Sequence, residues 1–200
     1  MNKKERRVIF SIVSISVFVL LSILVFFKKT FVDDFISNSF INSWNPTANW
    51  FFIFLGKYSQ SIMIGLAILI SLILYLQKRR KGTLIFIFSL GIGYILEKII
   101  KIIIQRERPL IQLIQETSFS FPSGNSVFSI ILFSLIIYFY KDEINNKFGK
   151  IVFISVGIFI IFLVGFSRIY LNVHWFTDVI GGYALGFSLV NIAILFLEKK

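Results

Sequence analysis

The sequence predicts an all-α integral membrane protein, a bundle of six transmembrane helices with a short interfacial helix after the first. Hydrophobic residues make up 56% of the 200-residue chain, and they occur in long runs separated by short basic segments. A soluble domain of this size keeps much of its surface in water, so lipid is the simpler solvent for so much apolar surface. The length predicts one domain over residues 1–200.

The first predicted span, residues 8–27, contains no charged residue. It is long enough to cross about 30 Å of hydrocarbon at about 1.5 Å per residue. Basic residues precede it as in a signal peptide, but the run is long for a signal-peptide core and lacks a small-residue cleavage site, so we expect a retained anchor. Beyond it, Val32, Phe35 and Ile36 recur at helical spacing and predict the interfacial helix. Later apolar runs predict spans at about residues 59–77, 83–104, 123–140, 151–166 and 174–197.

Charge patterning predicts the orientation of these spans. The net charge is +11, and most of the 21 Lys and Arg residues lie in four segments, residues 1–7, 78–82, 141–150 and 198–200. The positive-inside rule places these segments and both termini in the cytoplasm, with 105–122 and 167–173 on the outer face. A nucleic-acid-binding domain would carry its basic residues as a stripe on a polar surface, so no nucleic-acid partner is predicted.

Two compositional facts limit the chemistry. The chain has no cysteine, which excludes disulfides and thiol catalysis. It has one histidine and no His/Asp/Glu group at metal-ligand spacing, so neither a metal nor another cofactor is predicted.

Lys101 and Arg108 lie at the outer end of the third predicted span and just past it. Charges at this depth are costly and usually mark a site, although snorkelling at a helix end would also explain them. Arg suits forked hydrogen bonding of a phosphoryl group, and Lys suits a point-charge contact. Glu97 and Lys98, deeper in the same helix, either pair with neighbours or face a site cavity.

The segment Pro122-Ser123-Gly124 predicts a helix start with Ser123 as the N-cap. Free backbone N–H groups and the helix dipole make such an end a site for anions, and Gly124 lets the backbone approach a ligand closely. Ser123 alone would also fit a purely structural cap.

His174 is the single histidine, and Asp178 follows it four residues later on the same helical face. Arg168 precedes it by six residues. A carboxylate that holds one ring nitrogen leaves the other free to attack, which is the arrangement of an activated nucleophile. A lone interfacial histidine also fits a packing role, but the two charged neighbours favour catalysis.

Three motifs in this order, K-x6-RP from Lys101, PSGN from Pro122 and SR-x5-H-x3-D from Ser167, resemble the type 2 phosphatidic acid phosphatase (PAP2) family. The resemblance implies that His174 attacks phosphorus, forms a phosphohistidine that water hydrolyses, and is oriented by Asp178. It also implies a metal-independent site in which positive side chains neutralise the phosphoryl group. The implied phosphate-binding residues are Lys101, Arg108, Ser123, Gly124 and Arg168.

Asn125 departs from the family pattern, whose second motif is PSGH, with the histidine as general acid. An amide supplies no proton at neutral pH, and general-acid help is worth roughly 10²–10⁴-fold. A phosphate leaving group needs little help, so we predict undecaprenyl diphosphate as the preferred substrate. Alternatively, Glu116 or Glu107 supplies the proton to a monoester, or the protein is slow or inactive.

The predicted function is therefore hydrolysis of a lipid phosphate or diphosphate at the outer face of a bacterial inner membrane. A phosphatidylglycerophosphate or phosphatidate phosphatase is the alternative within the class. A catalytically impaired protein that binds or transports a lipid phosphate is the alternative from another class. The sequence does not determine the oligomeric state.

Overall fold

The computed structural model describes residues 2–28 and 31–199, and these residues form seven α-helices without a strand. The helices are α1 (Lys3–Phe26), α2 (Phe31–Ser43), α3 (Pro46–Leu76), α4 (Arg80–Ile104), α5 (Gly124–Tyr140), α6 (Lys147–Tyr170) and α7 (Phe176–Glu198). The predicted all-α class is confirmed.

Five of these helices, α1, α3, α4, α6 and α7, are long and apolar enough to cross a membrane. Helix α5 is apolar but has 17 residues. At about 1.5 Å per residue such a helix extends about 26 Å, slightly less than the hydrocarbon core of about 30 Å. The chain is thus a multi-pass membrane protein, and α5 as its sixth span stays a prediction.

Helix α3 begins at Pro46 rather than near residue 59, as the apolar run predicted. The side chain of Asn45 accepts a hydrogen bond from the Ala48 N–H at 3.0 Å, and Pro46 occupies the first turn, where its missing N–H costs nothing. The segment between the first two predicted spans is therefore divided between α2 and the start of α3. The surface location of α2 remains a prediction.

Two other helix ends differ from prediction near the motifs. Helix α6 runs from Lys147, where Asn146 caps the Gly149 N–H at 2.9 Å, to Tyr170, beyond the predicted 151–166. Helix α7 begins at Phe176, so His174 lies in the loop before it rather than in the span.

Helix α5 packs against α4, α6 and α7, and its Ile131, Leu132 and Leu135 are fully buried. Gly182 and Gly186, a G-x-x-x-G pair on α7, allow close contact with α5. A Cβ at Gly182 would lie 2.7 Å from the Ser123 carbonyl oxygen. This close packing joins the start of α5 to the start of α7, where two of the three motifs lie.

Large apolar side chains cover the outward surface of the bundle. Ile68 of α3, Ile102 of α4 and Phe159 of α6 are each at least 60% exposed. Such continuous apolar exposure suits hydrocarbon and not water. The buried polar residues concentrate instead at one end of the bundle, around the loops that carry the motifs.

Candidate active site

A cavity of about 160 Å³ opens at this end, between α3, α4, α5 and the loops that follow α4 and α6. Its wall includes the motif residues Lys101, Arg108, Gly124, Asn125 and His174. All three motifs thus contribute to one cavity, although they are distant in sequence.

The turn from α6 into α7 orients His174. Asp178 sits in the first turn of α7, where its Oδ2 accepts the Trp175 backbone N–H at 2.9 Å. The same oxygen lies 3.4 Å from His174 Nδ1, and Nε2 lies 3.3 Å from Nη1 of Arg108. When Nδ1 carries the proton and donates to Asp178, the lone pair of Nε2 accepts from Arg108 Nη1 at the cavity wall.

Burial keeps this imidazole neutral. His174 is 4% exposed, and burial lowers its pKa to about 3, although the hydrogen bond to Asp178 partly opposes the shift. A neutral ring nitrogen with a free lone pair is the form required for nucleophilic attack.

Two of the three cationic residues that line the cavity, Arg108 and Lys101, are held in different ways. Arg108 is fixed by carbonyl groups, because its Nε donates to Ser118 O at 2.6 Å and its Nη1 to Val173 O. Lys101 is held by an ion pair, with Nζ 2.8 Å from Oε1 of Glu97. Pairs of preorganised cations of this kind stabilise the charge on a phosphoryl group.

Arg168 does not line the cavity. Its guanidinium is buried and turned toward α3, where Nη2 donates to Gly56 O at 3.0 Å and to Ser59 Oγ at 2.7 Å. Its Nε has no hydrogen-bond partner among residues 2–28 and 31–199. In this arrangement Arg168 joins α6 to α3 and stays behind the cavity wall.

Ser123 occupies the N-cap position of α5, but its side chain makes no capping hydrogen bond. Its Oγ instead accepts from Ser126 Oγ at 3.0 Å, and its N–H donates to Asp178 O at 3.0 Å. Ser123 is fully buried behind the cavity, whereas Gly124 and Asn125 line it. The predicted N-cap position of Ser123 is confirmed, although its side chain does not cap the helix.

A buried ionic network, not predicted from the sequence, supports Asp178. Arg106 Nη1 donates to Asp178 Oδ1 at 2.5 Å, and its Nη2 donates to Asp33 Oδ2 at 2.6 Å. Asp33, 1% exposed on α2, also accepts from the Thr177 N–H at 2.9 Å. Helix α2 is thereby tied to the turn that positions the histidine. An acidic residue in a largely apolar segment was the available signal.

The glutamates differ in placement. Glu97 is 3% exposed and pairs with Lys101 and Lys98. Glu97 and Lys98 both line the cavity, so each pairs with a neighbour and also faces the cavity. Glu116 lines the cavity with a side chain 38% exposed, 3.9 Å from Arg108 Nη2. Glu107 is exposed and does not line it. In the described part of the chain, no three His, Cys, Asp or Glu residues form a metal-binding group.

A multi-pass helical bundle with a buried histidine–aspartate pair beside a cation-lined cavity defines a membrane enzyme that acts on phosphate groups. The chain belongs to the PAP2 superfamily, whose model matches residues 82–200. It is 35% identical over 144 residues to phosphatidylglycerophosphatase B of Bacillus subtilis (strain 168), a match that covers 70% of each chain. It also resembles the crystal structure of a transmembrane PAP2-type phosphatidylglycerolphosphate phosphatase from Bacillus subtilis. That likeness has a TM-score of 0.81 at 29% identity, over 93% of this chain and 96% of the other. The chain is accordingly a phosphoric ester hydrolase, a PAP2 lipid phosphatase.

Proposed function

We propose that this chain removes the terminal phosphate from a phospholipid monoester of the phosphatidylglycerophosphate class, at the outer face of a bacterial inner membrane. The carrying observation is that Nε2 of His174 lies 3.3 Å from Arg108 in a cavity that Lys101 also lines. The two named relatives are phosphatases of that lipid, which supports a monoester over the undecaprenyl diphosphate predicted from Asn125.

In the proposed mechanism the lone pair of His174 Nε2 attacks phosphorus while Nδ1–H donates to Asp178. A phosphohistidine forms, the lipid alcohol leaves, and water then displaces the histidine. Arg108 and Lys101 stabilise the charge on the equatorial oxygens, so no metal is needed for that task. Uncharged His174 is ready to attack at neutral pH, because its pKa lies far below 7.

Phosphate binding by the motif residues is part of this proposal. Lys101, Arg108 and Gly124 line the cavity, and the proposal assigns them to direct contact with the phosphate. Arg168 joins them only when its guanidinium leaves Gly56 on α3, and Ser123 contributes from behind the wall by fixing the start of α5.

A lipid diphosphate remains the second candidate substrate, favoured by Asn125, which provides no proton for an alkoxide. A protein that only binds lipid phosphate would need the cations of the cavity but not the His174–Asp178 pair. Phosphate release by purified protein from matched lipid mono- and diphosphates separates the candidates, with His174→Ala as the inactive control. A preference for the monoester supports the proposal, and diphosphate preference or the absence of turnover contradicts it.

The proposed orientation places both termini in the cytoplasm. The chain lacks cysteine, so single cysteines can be introduced without a background. Leu110, 99% exposed in the loop beside the cavity, should react as Leu110→Cys with an impermeant maleimide added outside intact cells. Lys147→Cys, at the start of α6, should react only after permeabilisation. The reverse pattern would place the site in the cytoplasm.

A further inference from the structure

The cavity contains a buried carboxylate next to the position where the motif lacks its acid. Glu97 is 3% exposed, and a Cβ built on Gly124 would lie 2.9 Å from its Oε1. Glu97 therefore reaches the start of α5 beside Asn125, across the gap that a glycine leaves open. Any larger residue at position 124 would displace this carboxylate.

Asn125 cannot do the work of an acid. Its side chain is an amide, and its buried Oδ1 has no hydrogen-bond partner among residues 2–28 and 31–199. An alkoxide leaving from a phosphate monoester still requires a proton. A monoesterase with this cavity must take that proton from a neighbouring group.

Other candidates for this proton donor are less well placed. The side chain of Glu116 is 38% exposed and lies beside Arg108, and that of Lys98 is 48% exposed. Tyr94 is 57% exposed. Glu97 alone among these combines burial with contact to the start of α5.

Building on the proposed monoesterase function, we propose that Glu97 is the general acid that protonates the leaving alcohol in place of residue 125. Without substrate, Glu97 Oε2 lies 3.5 Å from Nζ of exposed Lys98, and its Oε1 pairs with the buried Lys101 ammonium group at 2.8 Å. An incoming phosphoryl dianion competes for that ammonium group. Glu97, which then faces the bound substrate, carries the proton that the leaving oxygen takes up.

The proposed reaction has two steps, and Glu97 carries the proton in both. In the first, His174 Nε2 forms a bond to phosphorus, the phosphorus–oxygen bond to the lipid breaks, and the Glu97 proton moves to that oxygen, giving the alcohol. In the second, water attacks phosphorus, its proton returns to the Glu97 carboxylate, and the phosphorus–nitrogen bond breaks. Phosphate leaves, and both side chains regain their starting forms.

The experiment compares leaving groups. Purified wild-type protein and Glu97→Gln are assayed on phosphatidylglycerophosphate, which releases an alkoxide, and on para-nitrophenyl phosphate, whose phenolate needs no proton. Loss of a general acid should lower kcat/KM for the lipid monoester by about 10²–10⁴-fold and that for the aryl ester by only a few-fold. Glu107→Gln, on the exposed loop outside the cavity, should change neither value.

A second variant separates proton donation from support of Lys101. Asn125→His in the Glu97→Gln background restores an acid at the family position, and it should recover lipid monoester hydrolysis. Equal losses on both substrates without recovery would mean that Glu97 only holds Lys101, and unchanged activity would exclude any role. Both results overturn the proposal.

Wild-type protein provides a test that needs no variant. With a general acid in place, kcat/KM across a series of alkyl and aryl phosphates should depend weakly on the basicity of the leaving group. A steep dependence in the wild type would overturn the assignment of Glu97. A wild type that hydrolyses no lipid monoester would instead overturn the proposed function itself.

Discussion

His174 should remain uncharged at a pH where an ordinary histidine is almost fully protonated. It is 4% exposed, and burial lowers its pKa from 6.5 to about 3. At pH 5 a group with a pKa of 6.5 is about 97% protonated, and one with a pKa of 3 is about 1% protonated. The imidazole should therefore stay neutral from pH 7 to pH 5.

The same shift makes stability depend on pH. The unfolded chain binds a proton at His174 below pH 6.5 that the folded chain does not bind. The contribution of neutral His174 to the free energy of unfolding is fully present above pH 6.5, and it declines as the pH falls toward 3. Between pH 7 and pH 5 the loss at this residue amounts to about 2 kcal/mol.

The measurement is direct because the chain has one histidine. Nitrogen-15 histidine labelling, with an affinity tag that contains no histidine, reports the ring nitrogens of His174 in micelles. In reversible unfolding, the free energy of unfolding of the wild type should fall by about 2 kcal/mol more than that of His174→Gln between pH 7 and pH 5. A ring titration centred near pH 6.5, or the same pH dependence in both proteins, would refute the reasoning.

Three further outcomes are expected. His174→Ala should reduce phosphate release to background, and full activity of this variant would exclude His174 as the nucleophile. Asp178→Asn should leave a folded protein with a large but incomplete loss of kcat, which reaches about 10⁴-fold in a comparable catalytic triad. EDTA should leave activity largely intact, since positive side chains neutralise the phosphoryl group, and a loss restored by Mg²⁺ would contradict this. Asp33→Asn should lower the free energy of unfolding by about 1–3 kcal/mol and reduce kcat, because it weakens the buried contact to Arg106. Exposed Asp34→Asn is its control, and equal effects would argue against the network.

The sequence predicted the parts of the site that depend on spacing along one helix or one turn. The spacing of His174 and Asp178 predicted that they would be neighbours, and they are, although their contact crosses the turn into α7 and not one helical face. Lys101 and Arg108 were expected at the end of one span, and they line the same cavity as His174. The fixed spacing of the three motifs thus led to five of the residues that line the cavity, Lys101, Arg108, Gly124, Asn125 and His174.

The remaining features depend on contacts between distant elements. Arg168 turns toward Gly56 and Ser59 because α3 begins earlier than its apolar run predicted and packs against α6. Likewise, Arg106 meets Asp33 only because α2 folds back over the start of α7. Hydropathy and motif spacing carry no information about which of several charged residues will face one another across a bundle.

The carboxylates of Glu97 and Asp178, at and beside the cavity, have different partners. This difference suits them to different tasks. Asp178 is bound by the Trp175 N–H and by Arg106, neither of which lines the cavity, so substrate binding leaves its charge compensated. Glu97 pairs with Lys101, which is the cation that a phosphate would engage. Arrival of substrate would therefore draw Lys101 away from Glu97 and leave the partners of Asp178 in place. One carboxylate can then orient the nucleophile while the other carries the proton.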